Sequence, residues 1–528
     1  MAEEPQAADE PVDEPALDVR ALTPIGRLRL RLREPPSYWL TRFYLLRLLG
    51  LVYFFAFLSL ANQVLPLVGE GGLLPAADLL DAAGQAGYGF ADAPSLFWIG
   101  CPDWALQGLA WVGVALSAAV LVGYANAILL GVLWILYFSY LVVGQQWFGY
   151  GWETQLCETG FLAIFLVPLL DGRPFPRRRP PKLILLLFRW LVLRIMLGAG
   201  LIKLRGDPCW HDLTCLDYHF ETQPIPNPLS PALHALPHAV LAVGVAFNHI
   251  CELIAPLFVF GPRRARHIAG LAMLGFQIFL IVSGNLSFLN WLTIVAIVAC
   301  FDDGMLARVT PRWLRARAEA AGARATPSAG QRRTVLALFV VYCVISLPAL
   351  FNLLSSEQKM NYSFNRLHLA SAYGAFGAMG KERHEIVFEG TLDEEITPRT
   401  EWREYQFPCK PGDPARRPCI ASPYHYRLDW QIWFAPFGAW EDAPWTAHLV
   451  WKLLHNDRGA LSLLANDPFP DRPPRWIRAL RYRYRFADGD AWWDRTLVGT
   501  WLGPWSTSSP ELLDVLDTFG WRRAPVTP

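Results

Sequence analysis

Charge is scarce in this chain. Only 18% of its 528 residues are Asp, Glu, Lys or Arg, against roughly a quarter in soluble domains, which excludes an ordinary soluble globule as the whole structure. The 47 basic side chains are matched by 46 acidic ones, so no general field draws the chain to nucleic acid. Nine cysteines occur without a Cys-x-x-Cys pair, and the usual zinc frameworks are therefore missing. Walker, GxSxG, GxGxxG and HExxH patterns are absent too, leaving NTPase, serine hydrolase, dinucleotide enzyme and zinc protease without motif support. No metal or cofactor is implied.

Long apolar runs are abundant instead. A helix crossing the hydrocarbon needs about 20 mostly apolar residues, and at least about 17, because its amides must be satisfied internally. Nine stretches meet or approach that length, at residues 43–68, 104–123, 126–143, 154–170, 183–202, 238–260, 267–284, 286–301 and 334–350. The expected fold is a membrane α-helical bundle of about nine transmembrane helices over residues 38–351, followed by a β-rich domain over 352–528. Residues 1–18 are acidic and Pro-rich rather than signal-like, so the first apolar run reads as a signal anchor.

Loop charge orients the spans, since short cytoplasmic loops are rich in Lys and Arg. Arg27, Arg29, Arg31, Arg33 and Arg42 precede the first run, Arg173, Arg177, Arg178, Arg179 and Lys182 fill the fourth connection, and Arg263, Arg264 and Arg266 fill the sixth. Residues 302–333 add seven Arg against three acids on the same side, whereas loop 66–103 has five acids and no Lys or Arg. The acidic-then-basic tail 1–37 is therefore expected in the cytoplasm. Loops 66–103 and 203–237 and the C-terminal domain are expected on the luminal side, or the periplasmic side in a bacterium. There Cys209 with Cys215, and Cys409 with Cys419, close short loops and read as disulfides, with Cys101 a free thiol or an alternative partner. Asn285 and Asn361 open Asn-x-Ser sequons on that side; the turn at Asn285 lies too close to the bilayer for a glycan, leaving Asn361 as the candidate in a eukaryotic host.

Beyond residue 351 the pattern alternates. Segments 384–392, 424–434 and 481–486 predict strands, with helices at 445–454 and 461–466 and a last one opening at Ser509-Pro510-Glu511, where Ser caps and Pro suits the first turn. Tyr424, His425, Tyr426, Arg427, Asp429, Trp430 and Trp433 form the candidate client-binding surface, because aromatics and Arg dominate binding hot spots. Core packing or seating at the membrane interface competes with that reading for the aromatic rings.

Polar groups within spans are costly, which makes each a functional candidate. Arg47 and Arg194 read as snorkelling from inner ends. Glu158, Lys203, His249 and Glu252 gather towards the outer leaflet with Gln155 and Asn248, and His249 and Glu252, three apart, share a helix face. Two readings stay open: a structural network that holds passes together, or an acid/base site with Lys203 as its catalytic candidate and Glu158, His249 and Glu252 around it. A metal site lacks ligands.

Several ordered blocks, 194–210 with 221–228, 282–293 with 299–303, 373–377, and 409–430, closely resemble the lipase maturation factor family, and the likeness runs from about residue 38 to residue 521. The resemblance implies a multi-pass membrane protein of the endoplasmic reticulum, chaperone-like rather than enzymatic, that helps secreted lipases fold and assemble as active dimers. It implies exported clients, lipases first, met by the C-terminal domain; in a bacterial host the membrane would be the plasma membrane. A fainter similarity links Gly200-Leu-Ile-Lys-Leu204 and Trp210 to vitamin K-dependent γ-carboxylases, where a Lys in this place acts as a base. For Lys203 this implies an alternative, carboxylase-like or quinone-linked chemistry, since desolvation can lower a Lys pKa into a usable range.

Overall fold

The computed structural model describes residues 36–522. The tail 1–37, with Arg27, Arg29, Arg31 and Arg33, falls almost wholly outside the described residues, as does the extreme C terminus. The membrane region comprises α1 (Trp39–Val68), α2 (Asp103–Val122), α3 (Ala127–Val143), α4 (Gly151–Ile164), α5 (Lys182–Gly206), α6 (His238–His249), α7 (Arg263–Ser283), α8 (Leu289–Ile297) and α9 (Ala329–Ile345). Six of the described helices are long and apolar enough to cross a bilayer: α1, α2, α5, α7, α6 prolonged to Phe258, and α9 prolonged to Leu354. The other three have 17, 14 and 9 residues. The nine full passes expected are thus six long helices and three short ones.

Local chemistry sets several of these ends. Pro168 has no N–H to offer the carbonyl of Ile164, and α4 stops there rather than reaching residue 170. Asn126 caps α3 by accepting from the Leu129 amide at 2.9 Å. Pro256 likewise cannot bond back four residues, and the chain passes through a π turn at Ile250–Ile254 and a 3-10 turn at Ala255–Phe258. Side-chain size sets the packing of α1 against α2, where a Cβ on Gly113 would lie 2.3 Å from the Phe57 ring.

The C-terminal domain is built on one antiparallel sheet in the order β2-β1-β3-β4, with β1 Arg383–Thr391, β2 Arg403–Glu404, β3 Trp476–Phe486 and β4 Trp493–Trp505. Helices α10 (Arg427–Phe434), α11 (Trp445–Leu453) and α12 (Pro510–Phe519) complete it. The strand expected at 424–434 is in fact α10. Four residues in a row, Arg427, Leu428, Asp429 and Trp430, are buried together with Ile432, so the start of α10 is covered on all sides and the alternation read from the sequence does not mark an inner and an outer face. The helix expected at 461–466 forms earlier, at Arg458–Ser462, because Asp457 caps it through the Ala460 amide. Both predicted strands at 384–392 and 481–486 are present within β1 and β3. One continuous apolar core runs from the bundle into this domain.

Candidate functional site

Three buried polar groups lie where the bundle meets the C-terminal domain. The first centres on Glu158 of α4, which is fully buried. Its carboxylate takes a very short contact from Arg194 of α5 and another from the Tyr342 hydroxyl of α9. It also accepts from the Tyr373 hydroxyl at 2.7 Å and the Ser371 amide at 3.2 Å. Arg194 in turn donates to the Ser371 carbonyl at 2.6 Å. Snorkelling of Arg194 is therefore corrected: it stands mid-helix, 1% exposed, and pairs within the bundle rather than reaching for water. Arg47 donates to the Val120 carbonyl at 2.8 Å.

Lys203 forms the second group, apart from Glu158. Its ammonium lies 2.6 Å from each oxygen of Glu252 and 3.0 Å from Asn248 Oδ1, and 4.8 Å over the Trp210 ring. Asn248 donates to Glu252 at 3.1 Å, four residues on. Glu252 sits within the π turn Ile250–Ile254. His249 points elsewhere, its Nε2 2.9 Å from the Trp210 carbonyl oxygen. The structure thus brings Lys203 and Glu252 together, splits Glu158 from them, and leaves His249 outside both. The Lys203 ammonium is engaged by three acceptor oxygens in a buried ion pair, with no hydrogen-bonded substrate position left among these contacts. No cluster of His, Cys, Asp and Glu suited to a metal occurs among the described residues.

The third group is the docking segment 424–430. Gln63 at the end of α1 donates to the His425 carbonyl at 2.7 Å and accepts from the Arg427 amide at 2.9 Å. The Arg427 guanidinium lies 3.8 Å from the Phe148 ring centre and donates to Glu153 at 2.9 Å and to the Trp147 carbonyl at 2.7 Å. Asp429 accepts from the Cys409 and Lys410 amides at 2.6 and 2.8 Å, and burial raises its carboxyl to about 6. His425 is buried with neither ring nitrogen bonded, and burial, reinforced by Arg427, holds it far below its usual pKa. Trp430 packs edge-on against Trp152 at 4.9 Å. Of the proposed client surface, His425, Arg427, Asp429 and Trp430 are therefore buried, while Tyr424, Tyr426 and Trp433 are half-buried.

Both expected disulfides, Cys209–Cys215 and Cys409–Cys419, are formed, and Cys101 is a free thiol. The second bridge meets the turn between α7 and α8: Asn285 donates to the Cys419 carbonyl at 3.0 Å and accepts from the Ala421 amide at 2.8 Å. Its amide is consumed there, which leaves it unfit for a glycan, whereas Asn361 is exposed. Tyr342, Ser371 and Tyr373 went unnoticed as partners of Glu158 in the sequence. A hydroxyl inside the ninth run was the available signal for Tyr342.

Two family descriptions match in order. Residues 40–308 match the lipase maturation factor transmembrane domain and residues 369–503 the lipase maturation factor C-terminal domain. Lipase maturation factor 1 of Bos taurus is 46% identical over 506 residues, spanning 89% of this chain and 90% of that protein. The chain belongs to the lipase maturation factor family. Lipase maturation factor 1 of Homo sapiens is 46% identical over 519 residues, 92% of this chain and 91% of its own length. Lipase maturation factor 2 of Mus musculus is 30% identical over 591 residues, 89% and 83% of the two chains. No solved structure matches. Both disulfides and all three buried groups fall within the family's span, apart from Tyr342 between the two matched regions.

Proposed function

We propose that this protein is a membrane-embedded maturation factor that assists secreted lipases to fold and assemble, in the endoplasmic reticulum membrane or, in a bacterial host, the plasma membrane. The observation that carries this reading is 46% identity to proteins named lipase maturation factor 1 across both membrane and C-terminal regions. On the charge pattern, the N terminus is cytoplasmic and residues 352–528 form the luminal client-facing domain. That domain's disulfide and its firm seat on the bundle fit a platform for clients. His425, Arg427, Asp429 and Trp430 set its position, and contact falls to the less buried Tyr424, Tyr426 and Trp433, beside exposed Phe434 and Phe437. Trp433 packs with both Phe rings, at 4.9 and 5.0 Å, giving a rigid aromatic patch of the kind that anchors protein interfaces.

Nothing in the geometry favours an enzyme built on Lys203, whose ammonium is already matched by Glu252 and Asn248. The test is secretion of active lipase from cells that lack their own maturation factor, with this chain, its Trp433→Ala/Phe437→Ala variant, or empty vector at matched protein level. Rescue by the parent and a several-fold loss with the aromatic variant are expected. Failure of the parent to rescue would overturn the lipase-client reading.

A further inference from the structure

The bundle holds a cavity of about 750 Å³ beside Lys203, bounded by α4 to α8 and the short helix Leu216–Thr222, with segment 373–378, Trp430 and Trp433 of the C-terminal domain at its border. That volume is in the roughly 300–1,000 Å³ range of small-molecule pockets. Its walls are largely apolar, and Val240, Val243 and Phe247 of α6 and Phe279 of α7 are lining residues that are also exposed. Both helices are long enough to cross the bilayer and are mostly unburied by protein. Exposed apolar side chains on such spans face acyl chains, which makes the entrance lateral, from the lipid.

A second observation concerns the wall. His219 lines the cavity, is 6% exposed, and its Nδ1 has no hydrogen-bond partner. Burial, with Lys203 nearby, pushes the imidazole down to about 4, so it is neutral at physiological pH. A neutral imidazole presents one N–H and one lone pair, and an unmet buried nitrogen is unfavourable unless something fills the space. Lys203 and Glu252 are the oppositely charged pair on the wall and already neutralise each other. A charged guest would thus lose its hydration without gaining a counter-ion.

We propose that the cavity takes a neutral single-chain lipid of the monoacylglycerol kind, its chain entering between α6 and α7 and its hydroxylated head hydrogen-bonding at His219. This site is independent of which client the protein serves.

Full-length protein in detergent is photolabelled with a diazirine-bearing monoacylglycerol, and the labelled peptides are mapped. Labels are expected on α6, α7 and the 216–222 helix, displaced by excess monoolein and not by oleate or lysophosphatidylcholine. Val243→Trp, at a rim residue 69% exposed, is expected to weaken labelling about tenfold, and His219→Phe about fivefold. Val340→Trp on α9, a 55% exposed position outside the cavity lining, should label as the parent does. Thermal unfolding verifies each fold, with Val240→Trp on the same rim as the replacement if Val243→Trp fails. Labels spread evenly over the exposed spans, persistence under monoolein, or parental labelling in the folded rim variant would overturn the site. Equal displacement by oleate or lysophosphatidylcholine would overturn the neutral head.

Discussion

Glu158 and Glu252 are both buried carboxylates inside apolar helices, each facing a cation on α5. Their surroundings differ. Glu158 draws donors from α5, α9 and the 371–373 segment, and so joins elements far apart in sequence. Among the described residues Glu252 accepts hydrogen bonds from Lys203 and Asn248 only, and it borders a cavity. The same residue pairing therefore serves as a structural knot in one place and as part of a pocket wall in the other. What separates them is how many independent elements lose a partner when one charge is removed.

Arg194→Ala breaks the knot and should show the largest effect. Removing the guanidinium leaves the Glu158 charge deep in the bundle with hydroxyl and amide donors only, a change that destabilises by about 3–5 kcal/mol. Thermal unfolding of the detergent-purified protein should fall accordingly, with little folded material recovered. Parental stability in Arg194→Ala would erase the distinction between the two carboxylates.

Asp429 sharpens the comparison, being a buried carboxylate stabilised mainly by backbone amides. Its pKa stands at about 6 against an ordinary 3.8, so the folded state binds the extra proton between these values. Stability from this group is thus fullest at low pH and declines as pH rises through about 6. Asp429→Asn keeps an oxygen for the Cys409 and Lys410 amides while removing the charge. Its gain over the parent should vanish near pH 4 and reach at most about 3 kcal/mol at pH 7, read from thermal unfolding across that range. A gain that does not change with pH would mean that the carboxylate is not the titrating group.

Much of this was legible as pattern and little as pairing. Apolar runs revealed the spans because a lipid-facing helix must be apolar along its length, yet α4 and α8 came out short where Pro168 and a 3-10 turn cut them. Both disulfides followed from loop length and side. Arg194 was misread because a position some twelve residues along α5, about 18 Å from its start, was judged near an end. Lys203 and Glu252 were grouped in the sequence and do pair, whereas Glu158, grouped with them by depth along its helix, pairs with Arg194 instead, because depth does not say which helix faces which. Segment 424–434 alternates well enough to pass for a strand; contact with Gln63, Glu153 and Cys409 decides for a helix. Strand β4 escaped notice because Gly499, Gly503 and Pro504 interrupt its pattern, and register shifts between β3 and β4 accommodate it.

The smallest expected effect tests the other half of the comparison. Lys203→Met combined with Glu252→Leu removes both charges from the cavity wall and replaces them with side chains of similar bulk. Exchanging a buried ion pair for packed apolar groups is often neutral or stabilising; here the Trp210 ring would still pack on the apolar replacement, and Asn248 would have to turn its amide towards the cavity. Stability should stay within about 1 kcal/mol of the parent, and active lipase secretion should be unchanged at matched protein level. Lys203→Met alone should be worse than the double variant, because it strands the Glu252 carboxylate. A folded double variant that no longer supports secretion would give this pair a functional part that Glu158 lacks, and would reopen chemistry at Lys203.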